Sequence, residues 1–176
     1  MTELPLVSIY IPTHNRCDLL KRAVDSVFCQ TYSNIELFII NDGSSDSTKQ
    51  FLDTLTHSTI KINIIHQDEP QGACVARNLA INLAKGKFIT GLDDDDEFLP
   101  ERVSDLLMHY DVNYAFICTG FYWDYGQKRR LVNGDEMTIN LSTQFDYNYA
   151  SNQVLVETKR LKAIGGFDEA FVACQD

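Results

Sequence analysis

The sequence has no apolar run approaching the roughly 18–20 residues that a membrane-spanning helix needs. Its start, Met1-Thr2-Glu3-Leu4-Pro5, lacks the basic and apolar regions of a signal peptide. Cysteine is sparse: Cys17, Cys29, Cys74, Cys118 and Cys174 are odd in number, widely spaced and never in a CxxC pair. That pattern indicates neither a disulfide framework nor a zinc site, and it fits a reduced, cytoplasmic setting. His14, His57, His66 and His109 are equally scattered, form no HExxH pair, and read as surface or loop residues. Positive charge is also in deficit, with 15 Lys and Arg against 25 Asp and Glu and a net charge of −10. Nucleic acid rewards basic faces, so it is not an expected partner. A polybasic membrane patch is disfavoured on the same ground, because the dense cluster Lys128-Arg129-Arg130 is too short to reverse the balance. GxxxxGK[ST], GxGxxG after a strand, and GxSxG are all missing. A nucleotide bound here would be held by side chains and a metal rather than by a glycine cradle.

What is present is a globular composition, 44% hydrophobic and 23% charged over 176 residues, enough for a domain with a real core. Strand and helix patterns alternate. Leu6–Ile11, Ile35–Ile40, Lys61–His66 and Phe88–Leu92 read as strands. Asp18–Gln30, Asp46–Leu55, Ala73–Lys85 and Pro100–Tyr110 read as the helices between them, with Gly86 in the left-handed C-terminal position of the third and Pro100 opening the fourth. The series predicts an α/β fold with a mostly parallel sheet covered on both faces. From residue 113 onward the pattern is β-rich with long loops. It has strand-like stretches at Tyr114–Thr119, Phe121–Trp123, Met137–Leu141 and Gln153–Glu157, and a helix from Thr158 to Ile164. This half holds Trp123 and five of the eight tyrosines, rings that suit sugar stacking if exposed and core packing if not. No linker or repeat divides the chain, so residues 1–176 read as one domain with halves at 1–112 and 113–176.

The run Asp93-Asp94-Asp95-Asp96-Glu97 follows the fourth strand. Adjacent carboxylates repel one another and need a counter-charge, and hard cations such as Mg²⁺ or Mn²⁺ take carboxylate and phosphate oxygens together. Alone, such a run is equally a solvated loop capping the next helix. An EF-hand is excluded, since Phe98 stands where that loop needs glycine. Three other polar segments also follow strands or open the next helix: Pro12-Thr13-His14-Asn15-Arg16, Asn41-Asp42-Gly43-Ser44-Ser45-Asp46, and Gln71-Gly72-Ala73-Cys74-Val75-Ala76-Arg77-Asn78. Ligands of open α/β sheets bind at the carboxyl ends of the strands, so four such segments on one edge point to a ligand crevice.

The segments VSIYIPTHNR, IELFIINDGSSDST, GACVARNLAINLAKGKFITGLDDDDEFLP and IGGFDEAFVACQD, in this order, resemble family 2 glycosyltransferases of the GT-A fold. The resemblance implies a Rossmann-like domain that transfers sugar, with inversion, from a nucleoside-diphosphate sugar to a saccharide or lipid-linked saccharide acceptor. It implies Mn²⁺ or Mg²⁺ and a role in bacterial surface polysaccharide or lipopolysaccharide synthesis. It assigns Pro12, Thr13, His14 and Asn15 to the nucleoside loop, Asp42 to a pyrimidine ring N–H, and Arg77 to the base or phosphates. Asp95 becomes the direct metal ligand, with Asp93 on the metal-bound water or ribose and Asp94 beside the nucleotide. Asp96 and Glu97 are left as loop and capping residues. Asp176 falls at the catalytic base, preceded by Gln175 where Glu is usual, and the resemblance implies further residues after it. Two other readings share these residues: a nucleotide-sugar-binding module without turnover, and a metal-dependent nucleotidyl- or phosphotransferase.

Overall fold

A computed structural model describes residues 4–151 and 153–171. Its sheet begins with β1 (Val7–Thr13), β2 (Ile35–Asp42), β3 (Lys61–Gln67) and β4 (Phe88–Gly91). These four are parallel, in the order β3-β2-β1-β4. Between them run α1 (Cys17–Phe28), α2 (Thr48–Asp53) and α3 (Ala73–Leu83), and α4 (Arg102–Met108) follows β4.

Side-chain alternation along β1 and β2 divides the core in two. Val7, Ile9, Ile11, Leu37 and Ile39 pack with Leu20, Val24 and Val27 of α1, Leu52 of α2 and Leu106 of α4. Tyr10, Phe38 and Ile40 face the other way, onto Ala76, Ala80 and Ile81 of α3. Every residue of β1 and β2 is buried, as expected of parallel strands covered on both faces. Connections leave β1 toward β2 but return past it from β3 to β4. The loops after β1 and β4 therefore part on opposite sides, and a crevice opens between them.

The second half continues the same sheet. β5 (Phe116–Ile117) and β8 (Leu155–Glu157) complete the order β3-β2-β1-β4-β8-β5, with β8 antiparallel to both neighbours. A separate hairpin pairs β6 (Phe121–Asp124) with β7 (Arg129–Val132), and α6 (Thr158–Ala163) follows β8.

Three expectations are corrected. Met137–Leu141 is not extended. Asn140 caps a short helix, α5 (Leu141–Asp146), by accepting from the Thr143 amide at 3.1 Å while Thr143 Oγ1 accepts from the Asn140 amide. The fourth helix starts at Arg102 rather than Pro100, because Leu99 to Glu101 form the turn that leads into it. Gly86 is not left-handed. It is required by close approach: a Cβ there would stand 2.6 Å from the Ser8 nitrogen and Oγ. Its amide donates to Ser8 Oγ at 2.9 Å and to Glu36 Oε1 at 3.1 Å. Glu36 Oε1 also accepts from Ser8 Oγ and the Lys85 amide, so this buried carboxylate satisfies the turn that delivers β4.

Candidate active site

Asn15 laces together the loops after β1 and β2. It has φ 55°, a left-handed conformation that asparagine tolerates better than most residues. Its Oδ1 accepts from the Ser45 amide at 2.7 Å, and its own amide donates to Ser44 Oγ at 2.9 Å. Asp46 anchors the starts of two helices, accepting from the Cys17 amide at 3.1 Å and the Thr48 amide at 2.9 Å. His14 Nδ1 lies 2.6 Å from the Asp42 carbonyl oxygen, which can only accept. The proton therefore sits on Nδ1, and Nε2 is left to accept from Asn15 Nδ2 at 2.8 Å. The ring is fixed and exposed at the mouth of the crevice, while Pro12 and Thr13 are buried beneath it.

Asp42 is buried at the end of β2, and its carboxylate accepts from the Gln71 amide at 2.7 Å and the Gly72 amide at 2.8 Å. It thus sets the turn into α3, where Gly72 has φ 94°. Asn41 explains itself in the same region. Its amide nitrogen donates to His66 Nδ1 at 2.9 Å, which an aspartate could not do.

The acidic run splits into two directions. Asp94 turns inward and is 5% exposed. It accepts from Thr13 Oγ1 at 2.7 Å and from Arg16 at 3.1 Å. Burial pushes its carboxyl up, against the opposing pull of Thr13 and Arg16. Asp93, Asp95 and Asp96 turn outward, each offering an oxygen within 4.8 Å of the others'. Arg77, buried on α3, donates to Asp93 at 3.1 Å, and Arg16 donates to Asp95 at 3.0 Å. Asp96 belongs with the acidic cluster rather than with the helix cap that sequence suggested. Crowding by protein raises its carboxyl above the usual range despite the Gln153 side chain donating to it, and Asp93 and Asp95 add to the rise. Glu97 faces away, paired with Arg22.

The second half reaches this cluster at two points that sequence reading missed. Arg102 stacks on Phe98 at 4.1 Å and donates to the Gln153 carbonyl, while Gln153 reaches Asp96. Burial lowers the Arg102 guanidinium to about 10, so it stays charged at neutral pH. Asn78 follows Arg77 on α3 and holds the segment after α6. Its Nδ2 donates to the Phe167 carbonyl at 2.8 Å and to Glu169 at 2.9 Å, and its Oδ1 accepts from the Phe167 amide at 2.8 Å. Gly165 and Gly166, with φ 89° and 75°, bring the chain to it. A Cβ at Gly166 would stand 2.3 Å from Asn78 Oδ1. Asn78→Ala should cost about 1–3 kcal/mol in a urea-unfolding titration, because two backbone groups of Phe167 lose their partner. An unchanged unfolding midpoint would show that the segment is held by something else. Asp176 lies outside the described residues.

The mostly parallel α/β sheet, with its helices on both faces, is the GT-A fold. The fold is shared with S. aureus TarS (residues 1–349) solved with UDP-GlcNAc, at TM-score 0.80 and 20% identity, over 97% of this chain and 51% of that one. Within that class, the chain belongs to glycosyl transferase family 2, whose model matches residues 8–167. It is 38% identical to the putative colanic acid biosynthesis glycosyl transferase WcaA of Escherichia coli K12, over 100% of this chain and 65% of that protein. It is 31% identical to the E. coli UDP-Glc:alpha-D-GlcNAc-diphosphoundecaprenol beta-1,3-glucosyltransferase WfaP, over 92% and 64%. The chain thus spans just under two thirds of the length of these relatives.

Proposed function

We propose that this protein is an inverting, metal-dependent glycosyltransferase. It moves a sugar from a nucleoside-diphosphate sugar, UDP-linked by first choice, to a hydroxyl of a saccharide or lipid-linked saccharide. The setting is the cytoplasmic stage of bacterial surface polysaccharide or lipopolysaccharide synthesis. The observation that carries the reading is the convergence of Asp93, Asp95 and Asp96 at the crevice mouth between β1 and β4. The relatives' names support both the donor and the lipid-linked acceptor.

Three carboxylates at one point suit a hard divalent cation, Mn²⁺ or Mg²⁺, and do not suit a soft one. Asp95 and Asp93 would hold it, with Asp96 as a third oxygen donor. Such an ion neutralises the charge that grows on a departing diphosphate. Arg16 and Arg77 brace the carboxylates from behind and limit their mutual repulsion. Pro12, Thr13, His14 and Asn15 wall the nucleoside side, with the exposed His14 ring available to stack on a base. Asp42 spends one lone pair of each oxygen on Gln71 and Gly72, and a carboxylate retains further acceptor sites for a ring N–H. Asp94 supports the nucleotide side through Thr13. Asp176, as the base, would take the proton of the acceptor hydroxyl during a single in-line displacement, which inverts the anomeric centre.

The test is competition among nucleoside diphosphates in the presence of Mn²⁺. Uracil and thymine offer a ring N–H to Asp42, whereas cytosine does not. UDP and dTDP should therefore outcompete CDP by about tenfold, because one added hydrogen bond to a charged group is worth roughly 1.5–3 kcal/mol. CDP ranking first would remove Asp42 from the base pocket. Product analysis separates the rival readings. Nucleoside diphosphate release marks glycosyl transfer, pyrophosphate or a phosphorylated product marks a nucleotidyl- or phosphotransferase, and binding without turnover marks a binding module.

A further inference from the structure

The β6–β7 hairpin stands apart from the six-stranded sheet and has no role in the site described above. Phe121, Trp123 and Tyr125 are 40%, 55% and 67% exposed, an unusual display for three large rings in one short segment. Cross-strand pairs are Phe121 with Val132 and Trp123 with Arg130. Directly opposed residues share a face, so Phe121, Trp123, Arg130 and Val132 lie together. The Phe121 and Trp123 rings meet edge to face at 5.9 Å. Tyr125 and Lys128 form the turn that closes the hairpin, joined by a backbone bond of 2.9 Å.

The charge of the hairpin is opposite to that of the protein. It carries Lys128, Arg129 and Arg130 against Asp124 alone, in a chain of net charge −10. Arg129 is paired with Asp124 at 2.9 Å. Lys128 and Arg130 form no ion pair among the described residues. Asp135 and Glu136 follow the other end of β7, away from the turn.

Tryptophan and tyrosine favour the boundary between headgroups and acyl chains, and nearby cations favour anionic lipid. We propose that the β6–β7 hairpin is a membrane-docking element. It seats Phe121, Trp123 and Tyr125 in the headgroup region of an anionic phospholipid surface, with Lys128 and Arg130 on the lipid phosphates. Overall composition disfavours a membrane patch, but the hairpin gathers its rings and cations where the average hides them, and charges beyond about 8 Å are largely screened at physiological salt. The inference rests on the proposed reaction only in its purpose: a docked hairpin would hold the domain at the surface that carries a lipid-linked acceptor.

Trp123 is the sole tryptophan of the sequence, so intrinsic fluorescence reports on the hairpin directly. The probe is vesicles of phosphatidylcholine with and without phosphatidylglycerol. Anionic vesicles should shift the Trp123 emission to shorter wavelength and carry the protein upward in flotation, whereas pure phosphatidylcholine should do so weakly. Lys128→Glu with Arg130→Glu should weaken binding about tenfold or more, with an unchanged circular dichroism spectrum. Trp123→Phe should keep flotation while removing the signal. Absence of both shift and flotation overturns the proposal, as does binding that survives the charge reversals. A lipid-free emission already typical of a buried indole, in a protein that sediments as a dimer, overturns it in favour of a contact between copies. None of these readouts uses a donor sugar, so failure of the proposed reaction and failure of docking are separate results.

Discussion

Replacing Asp176 with asparagine should lower sugar transfer by about 10²–10⁴-fold, the usual contribution of a general base. Nucleotide affinity should hardly change. An acceptor hydroxyl is a poor nucleophile at neutral pH, and asparagine keeps the size of aspartate but cannot take its proton. The nucleotide is assigned to residues of the first half, from Pro12 to Asp96, and its affinity does not depend on a group that faces the acceptor. Segment 165–169, which leads toward Asp176, is fastened to Asn78. That segment is thus held by the same helix whose Arg77 braces Asp93. Steady-state kinetics that vary donor and acceptor separately provide the measurement. A full rate in Asp176→Asn would assign the proton to another group.

Asp95→Ala should abolish the metal-dependent part of nucleoside-diphosphate binding and leave the fold intact. The side chain is 51% exposed, and its ion pair with Arg16 is a surface pair of small worth. Stability should therefore change by less than about 1 kcal/mol. Removing a direct ligand should cost more than the roughly 10–100-fold that follows loss of a mere supporting partner. Asp93→Ala should weaken binding less, because Arg77 already engages that carboxylate and the outer cluster keeps Asp95 and Asp96. Calorimetry of UDP binding with Mn²⁺ and with EDTA separates the two contributions. Equal wild-type affinity in both buffers would sink the metal assignment.

Parallel strands buried on both faces leave continuous β-branched and aromatic runs, so β1, β2 and β4 and the crevice at their ends could be read from sequence. The acidic loop was legible as a cluster but not as two sets. Whether Asp94 points inward and Asp96 outward depends on one turn, closed by the Asp96 amide on the Asp93 carbonyl at 3.1 Å, which no periodicity encodes. Long-range clamps were invisible for a similar reason. Asn78 meets Phe167 across 89 positions, and Arg102 meets Gln153 across 51. A glycine past a helix usually signals a left-handed turn, whereas at Gly86 the close Ser8 nitrogen and Oγ exclude any Cβ, a contact that local sequence does not encode. Short elements such as α5 depend on local capping, and the pattern around Met137 carried no periodic signal of a helix.

The place of β8 in the sheet has a consequence for biosynthesis. β4 pairs with β1 on one side, and its other edge is closed by Leu155–Glu157, contributed some 64 residues after Gly91 on the ribosome's schedule. At typical elongation rates of about 5–20 residues per second, that edge stays open for several seconds in every nascent chain. An unpaired, apolar strand edge is a template for joining the wrong neighbour. The open edge of β4 is covered only once β8, from the second half, has paired alongside it.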